Sequence, residues 1–170
     1  MTKRSLICCW IIFGLTIALF GEETKPTQVI PGPRPANSDF APWNDPMVGR
    51  LGYRLQQAVE EWGPPQELAV SRGNEAWQDS VVFYYADHSY LYWWGNRLWQ
   101  IRFDKRYKGE ILGVEIGLER SEVLKRLGKP FTVSDNDLLY QLPDRGFPIR
   151  LRLIFSNDRL SDVYLYRADF

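Results

Sequence analysis

The chain has 170 residues, 45% hydrophobic, 25% charged and 15% aromatic, with 21 basic and 21 acidic side chains and two cysteines. These fractions belong to an ordinary globular protein and exclude a collagenous, low-complexity or wholly disordered chain. A formal net charge of zero removes the basic footprint expected of a nucleic-acid binder.

In chain order, Lys3 and Arg4 precede an apolar run from Leu6 to Phe20, and Gly21, Glu22 and Glu23 follow it. A basic start, a short apolar run and a polar exit read as an export signal over 1–21. The run is shorter than the roughly 20 residues that span a bilayer, so a cleaved signal peptide is expected, with cleavage near Gly21. Leu19 is bulky for the position three before the cut, which keeps an uncleaved signal anchor as the alternative. A lipid-anchored form needs an acceptor cysteine after the run, whereas Cys8 and Cys9 lie at its start. Cleavage would remove both cysteines, and with them disulfides, thiolate metal sites and cysteine nucleophiles. It also leaves 19 basic against 21 acidic side chains, with no charge-based reason to bind DNA or anionic lipid.

Residues 22–46 hold six of the eleven prolines, Pro26, Pro31, Pro33, Pro35, Pro42 and Pro46, and few apolar side chains. Such a segment builds no core and reads as a semi-rigid, proline-rich linker or a tail.

Two stretches then overlay without a gap, Leu51 to Pro65 and Ile116 to Pro130. Each carries two glycines eleven apart, Gly52 and Gly63 or Gly117 and Gly128, with Pro65 or Pro130 two positions later. Leu55, Ala58, Val59 and Trp62 in the first and Val123, Leu124 and Leu127 in the second fall on one helical face. Gly63 and Gly128 are expected as left-handed helix caps.

Strand patterns follow each helix: Val81 to Tyr85, Tyr90 to Trp94 and Leu98 to Phe103, then Leu138 to Leu142, Ile149 to Phe155 and Asp162 to Tyr166. Turn residues at Asp87-His88-Ser89, Gly95-Asn96-Arg97 and Asn157-Asp158-Arg159 make them antiparallel hairpins. The expected fold is α+β, two tandem helix-plus-three-stranded antiparallel sheet units packed together, over 47–107 and 108–170.

Period-two alternation places Trp99, Ile101, Phe103, Leu151, Leu153, Phe155, Val163 and Leu165 toward the helices. The overlay turns Tyr90, Tyr92 and Trp94 inward as well, leaving Leu91 and Trp93 outward. The other sheet face would then present Leu91, Trp93, Ile154, Tyr164 and Tyr166 edged by Arg102, Arg150 and Arg152, more apolar than a solvated surface needs.

The segment Ile116 to Pro130 resembles the opening motif of the SmpA/OmlA (BamE) lipoproteins and of β-lactamase inhibitory protein. That resemblance implies small helix-plus-sheet units, two in tandem in the inhibitor, that act by binding other envelope proteins. It brings no catalytic residues. This chain lacks both the lipobox cysteine of the lipoproteins and the disulfides of the inhibitor.

Catalytic patterns are weak. His88 is the sole histidine and lies in a turn, where sequence neighbours do not converge as a triad requires. Glu60 and Glu61 are adjacent on a helix and share no face. Asp135-Asn136-Asp137 lacks the later glycine and glutamate of a calcium loop and reads as a turn. No metal-ligand spacing, phosphate loop or cofactor motif occurs, so no metal and no cofactor are expected.

The aromatic content serves mainly as core, and partly as a docking surface, since Trp, Tyr and Arg anchor interfaces. The reading is of an exported, non-catalytic protein, periplasmic or envelope-associated, that binds another envelope protein through Leu91, Trp93, Arg102, Arg150, Arg152, Ile154, Tyr164 and Tyr166. No nucleic-acid partner is expected, and a membrane only if the signal is retained. Glycan or cell-wall binding by the same aromatics is the alternative, and a hydrolase with an unseen carboxylate site comes last.

Overall fold

A computed structural model describes residues 42–169. The signal over 1–21 and nearly all of the linker lie outside the described residues.

Regular structure is already present before residue 47, the expected start of the first unit. Pro42–Asn44 forms a 3-10 turn and Pro46–Gly49 a short helix, α1. Proline suits the first helical turn because no partner exists there for its missing N–H. The Asp45 carboxylate accepts from the Met47 N–H at 2.7 Å and from the distant Leu112 N–H at 3.1 Å. Val48 and Leu51 are buried, and Trp43 and Met47 pack on the same core. Pro42 and Pro46 therefore belong to the fold rather than to the linker.

Helix α2 spans Leu55–Trp62 and α3 spans Arg120–Leu127. Ala58, Val123 and Leu127 are buried, with Val59, Trp62 and Leu124 packed against the core. Both helices stop at a glycine, but not in the left-handed helical well. Gly63 has φ 77° and ψ −175°, and Gly128 has φ 74° and ψ −158°. Positive φ with extended ψ is open essentially to glycine alone, and it turns the chain directly into the next strand.

The strands are β1 (Glu67–Ser71), β2 (Ser80–Tyr84), β3 (Ser89–Trp94), β4 (Arg97–Phe103), β5 (Glu110–Ile111), β6 (Val114–Glu115), β7 (Thr132–Val133), β8 (Asp137–Leu142), β9 (Ile149–Ser156) and β10 (Arg159–Arg167). Eight form one antiparallel sheet in the order β1-β2-β3-β4-β10-β9-β8-β7, and β5 and β6 form a separate small hairpin.

This corrects the expectation of two helix-plus-three-stranded units. The chain is mostly sheet, and β4 pairs directly with β10 through Val163↔Phe103, Tyr164↔Arg102, Leu165↔Ile101 and Tyr166↔Gln100. Four strands per half merge into one sheet over one shared hydrophobic cluster. A 60-residue sheet with a single covering helix buries little apolar area, and joining the two across β4 and β10 removes two open edges at once.

Corresponding segments of the two halves make matching contacts within that sheet. The Gly52 N–H donates to Leu98 O at 2.7 Å and the Gly117 N–H to Leu160 O at 2.8 Å. The Tyr85 hydroxyl donates to Gly63 O at 3.2 Å and the Tyr140 hydroxyl to Gly128 O at 3.1 Å. Each hydroxyl thus satisfies a carbonyl at the end of a helix, where intrahelical donors are lacking.

Candidate binding face

Strand register sorts the side chains into two faces. The inner face, under the helices, includes a cross-strand row of Leu68, Phe83, Leu91, Ile101, Leu165, Leu151 and Tyr140. From Phe83 onward every member is buried, between 0% and 6% exposed.

Leu91 and Trp93, expected on the outer face, lie in this core at 0% and 3% exposure. Tyr90 and Tyr92, expected inward, point outward. The two-residue turn at Gly95 and Asn96, with φ 52° and 61°, is the hairpin geometry that sets Trp93 opposite Leu98. A bulge beside that pair, where Tyr92 faces Gln100 and Trp93 faces Leu98, inserts Trp99 as the extra residue and places it outward. Its indole N–H donates to the Ser80 hydroxyl at 3.1 Å, and its ring meets Tyr92 edge-on at 6.1 Å. Aromatic side chains fit either face of a strand, so alternation in Tyr90-Leu91-Tyr92-Trp93-Trp94 does not by itself name the buried set.

The remaining six expected residues do share the outer face. One row runs Glu67, Tyr84, Tyr90, Arg102, Tyr164, Arg152 and Leu139, and the next runs Ala69, Val82, Tyr92, Gln100, Tyr166, Arg150 and Gln141. Ile154 lies beyond them, paired with Asp162 and Asp137. Tyr84, Tyr90 and Tyr92 join the face although sequence reasoning left them out. The hairpin turn was the signal that could have found the latter two.

Arg102 is the centre of the face. Its guanidinium lies over Tyr90 at 5.2 Å and Tyr164 at 5.4 Å from the ring centroids, and it donates to Asp162 Oδ1 from Nε at 3.1 Å and from Nη2 at 2.5 Å. Burial is the largest influence and works against its charge, but the Asp162 hydrogen bonds, the charge of Asp162 and the neighbouring Tyr164 and Tyr92 hydroxyls together hold it above its ordinary pKa. Burial raises the Tyr164 pKa. Arg152 is tied to Asp137 at 2.7 Å in the same way.

A second polar cluster lies at one end of the tyrosine row. Asp104 accepts from the Tyr90 hydroxyl at 2.8 Å and from Arg106 Nη2 at 2.6 Å. Burial alone would raise the Asp104 pKa, yet the Arg106 side-chain and backbone donors and the Tyr90 hydroxyl together keep it well below the usual carboxylate range. Beside it is an open groove of about 570 Å³, whose lining includes Glu67, Ser71, Tyr84, Tyr90, Tyr92 and Arg106. His88 is a turn residue with φ 69°, and its Nδ1 is 2.8 Å from the Tyr84 hydroxyl. Among the described residues no group of three metal-ligating side chains occurs, and no helix is long and apolar enough to cross a membrane.

The chain is similar to two solved structures. A cysteine-rich secretory protein from Staphylococcus aureus superposes with a TM-score of 0.53 at 12% identity, over 71% of this chain and 44% of its own. An extracellular protein containing a SCP domain from Bacillus anthracis gives a TM-score of 0.48 at 12% identity, over 82% of this chain and 50% of its own. The chain thus spans half or less of the length of either. At this identity the first likeness concerns the fold alone. No family model matches the sequence, and no curated protein does. The likeness to the BamE lipoproteins and the inhibitory protein is corrected accordingly: the structural neighbours are of another kind, and one broad sheet replaces small helix-plus-sheet repeats. The shared motif is a helix with its stop signal, and many folds can carry that piece.

Proposed function

We propose that this is an exported protein with no reaction of its own, which holds another envelope protein against the outer face of its sheet. The observation that carries the reading is the Tyr84, Tyr90, Arg102, Tyr164, Arg152 row, which neither helix covers. Tyrosine and arginine supply large, fairly rigid contact area with polar ends, and they recur at interface centres. Arg102 is already held between two rings and an aspartate, so little side-chain entropy remains to be lost on docking. The export signal supports the location, as does the description of the first structural neighbour as a secretory protein.

The test is a crosslinking capture from envelope fractions with wild type and Tyr166→Ala side by side, both melting alike. Loss of one defined partner with Tyr166→Ala is the expected result. Equal capture by both chains would overturn the docking face.

The groove favours a second reading, glycan binding, because Tyr84, Tyr90 and Tyr92 border it with Glu67 and Arg106 at hand for sugar hydroxyls. Retention on peptidoglycan that is lost in Tyr92→Ala would select it.

A further inference from the structure

The two edges of the large sheet differ. β7 at one end has two residues, too few to template another strand. β1 at the other end has five residues, Glu67–Ser71, all exposed, paired on one side only and in an unbroken register with β2. It contains no proline, lysine or bulge, the usual protections of an open edge.

Its inner-face side chains are apolar and uncovered. Leu68 is 66% exposed and Val70 57%. Leu68 ends the buried row that continues through Phe83, Leu91 and Ile101, and Val70 ends the row through Val81, Trp93 and Leu98. Two rows of the core therefore run out at an open edge.

We propose that β1 pairs antiparallel with β1 of a second copy of this chain, across a two-fold axis at Ala69. The segment is self-complementary in that arrangement. With Ala69 opposite Ala69, each Leu68 meets the second copy's Val70 and each Glu67 meets the second copy's Ser71. Of the registers that keep inner side chains on one side, only this one pairs all five residues of β1. The Leu68 row of one copy then continues into the Val70 row of the other, closing both apolar rows. Alanine at the axis brings no bulk, and no like charges stand opposed. Such a contact is isologous and closed, so it stops at two copies and leaves both tyrosine faces open.

The test is sedimentation of the full chain over a dilution series, comparing wild type, Val70→Lys and, as a control at the opposite edge, Val133→Lys. Val133 is 61% exposed on β7. Wild type and Val133→Lys are expected to dimerise, and Val70→Lys to weaken the dimer at least about tenfold, with an unchanged melting point at dilutions where both chains are monomeric. If Val70→Lys disturbs folding, Leu68→Gln makes the same test with a milder change. A wild type that stays monomeric at every concentration, or a dimer indifferent to both β1 substitutions, overturns the proposal.

Discussion

Trp93→Ala separates the two assignments of the sheet faces. Trp93 is 3% exposed, and its ring centroid lies 5.3 Å from that of Phe83. A buried tryptophan removes about 150–250 Å² from water, or about 4–6 kcal/mol at about 25 cal/mol per Å². Truncation of such side chains costs about 3–5 kcal/mol, because the cavity collapses only in part. A loss of about 4 kcal/mol should lower the melting midpoint by roughly 15 °C in a domain of this size. Trp93→Phe should cost much less, for a reason specific to this site. The Trp93 indole N–H is buried without an acceptor, and such a group costs about 1–3 kcal/mol, which phenylalanine would recover. Urea unfolding followed by circular dichroism would give the order wild type, Trp93→Phe, Trp93→Ala, with an unchanged slope against denaturant. A Trp93→Ala loss below about 1 kcal/mol, combined with loss of partner capture, would refute the reasoning and return Trp93 to the surface.

Acid stability should depend on Asp104. Its folded pKa is below its unfolded value of about 4, so its contribution is fully present above that pH and is lost as the pH falls toward the folded value. Asp104→Asn should flatten the stability profile below about pH 4, and an unchanged profile would show that Arg106 and Tyr90 do not hold this carboxylate. At the helix ends, Gly63→Ala and Gly128→Ala should each cost about 1–3 kcal/mol from backbone strain alone, because no atom lies near either missing Cβ. Thermal melts would measure this, and a neutral result at both positions would mean that the chain leaves these helices by another route.

Part of this architecture is legible from local chemistry. The helices at Leu55–Trp62 and Arg120–Leu127 follow from apolar spacing and terminal glycines. The β3–β4 and β9–β10 hairpins follow from Gly95-Asn96 and Asn157-Asp158, which accept positive φ. Arg102, Arg150, Arg152, Ile154, Tyr164 and Tyr166 share a face because alternation in β4, β9 and β10 sets them against buried Ile, Phe, Leu and Val. Local pattern fails where partners are distant. Glu67–Ser71 has little strand character of its own and is held by pairing with β2, while Thr132–Val133 is a strand only because β8 lies beside it. The junction of β4 with β10 joins residues about 60 positions apart, and only the folded chain can show that two helix-bearing halves share one sheet. The same holds for the inward turn of Leu91 and Trp93. In a run of five large side chains burial is decided by strand register, and register is set by the turn and bulge of the assembled hairpin.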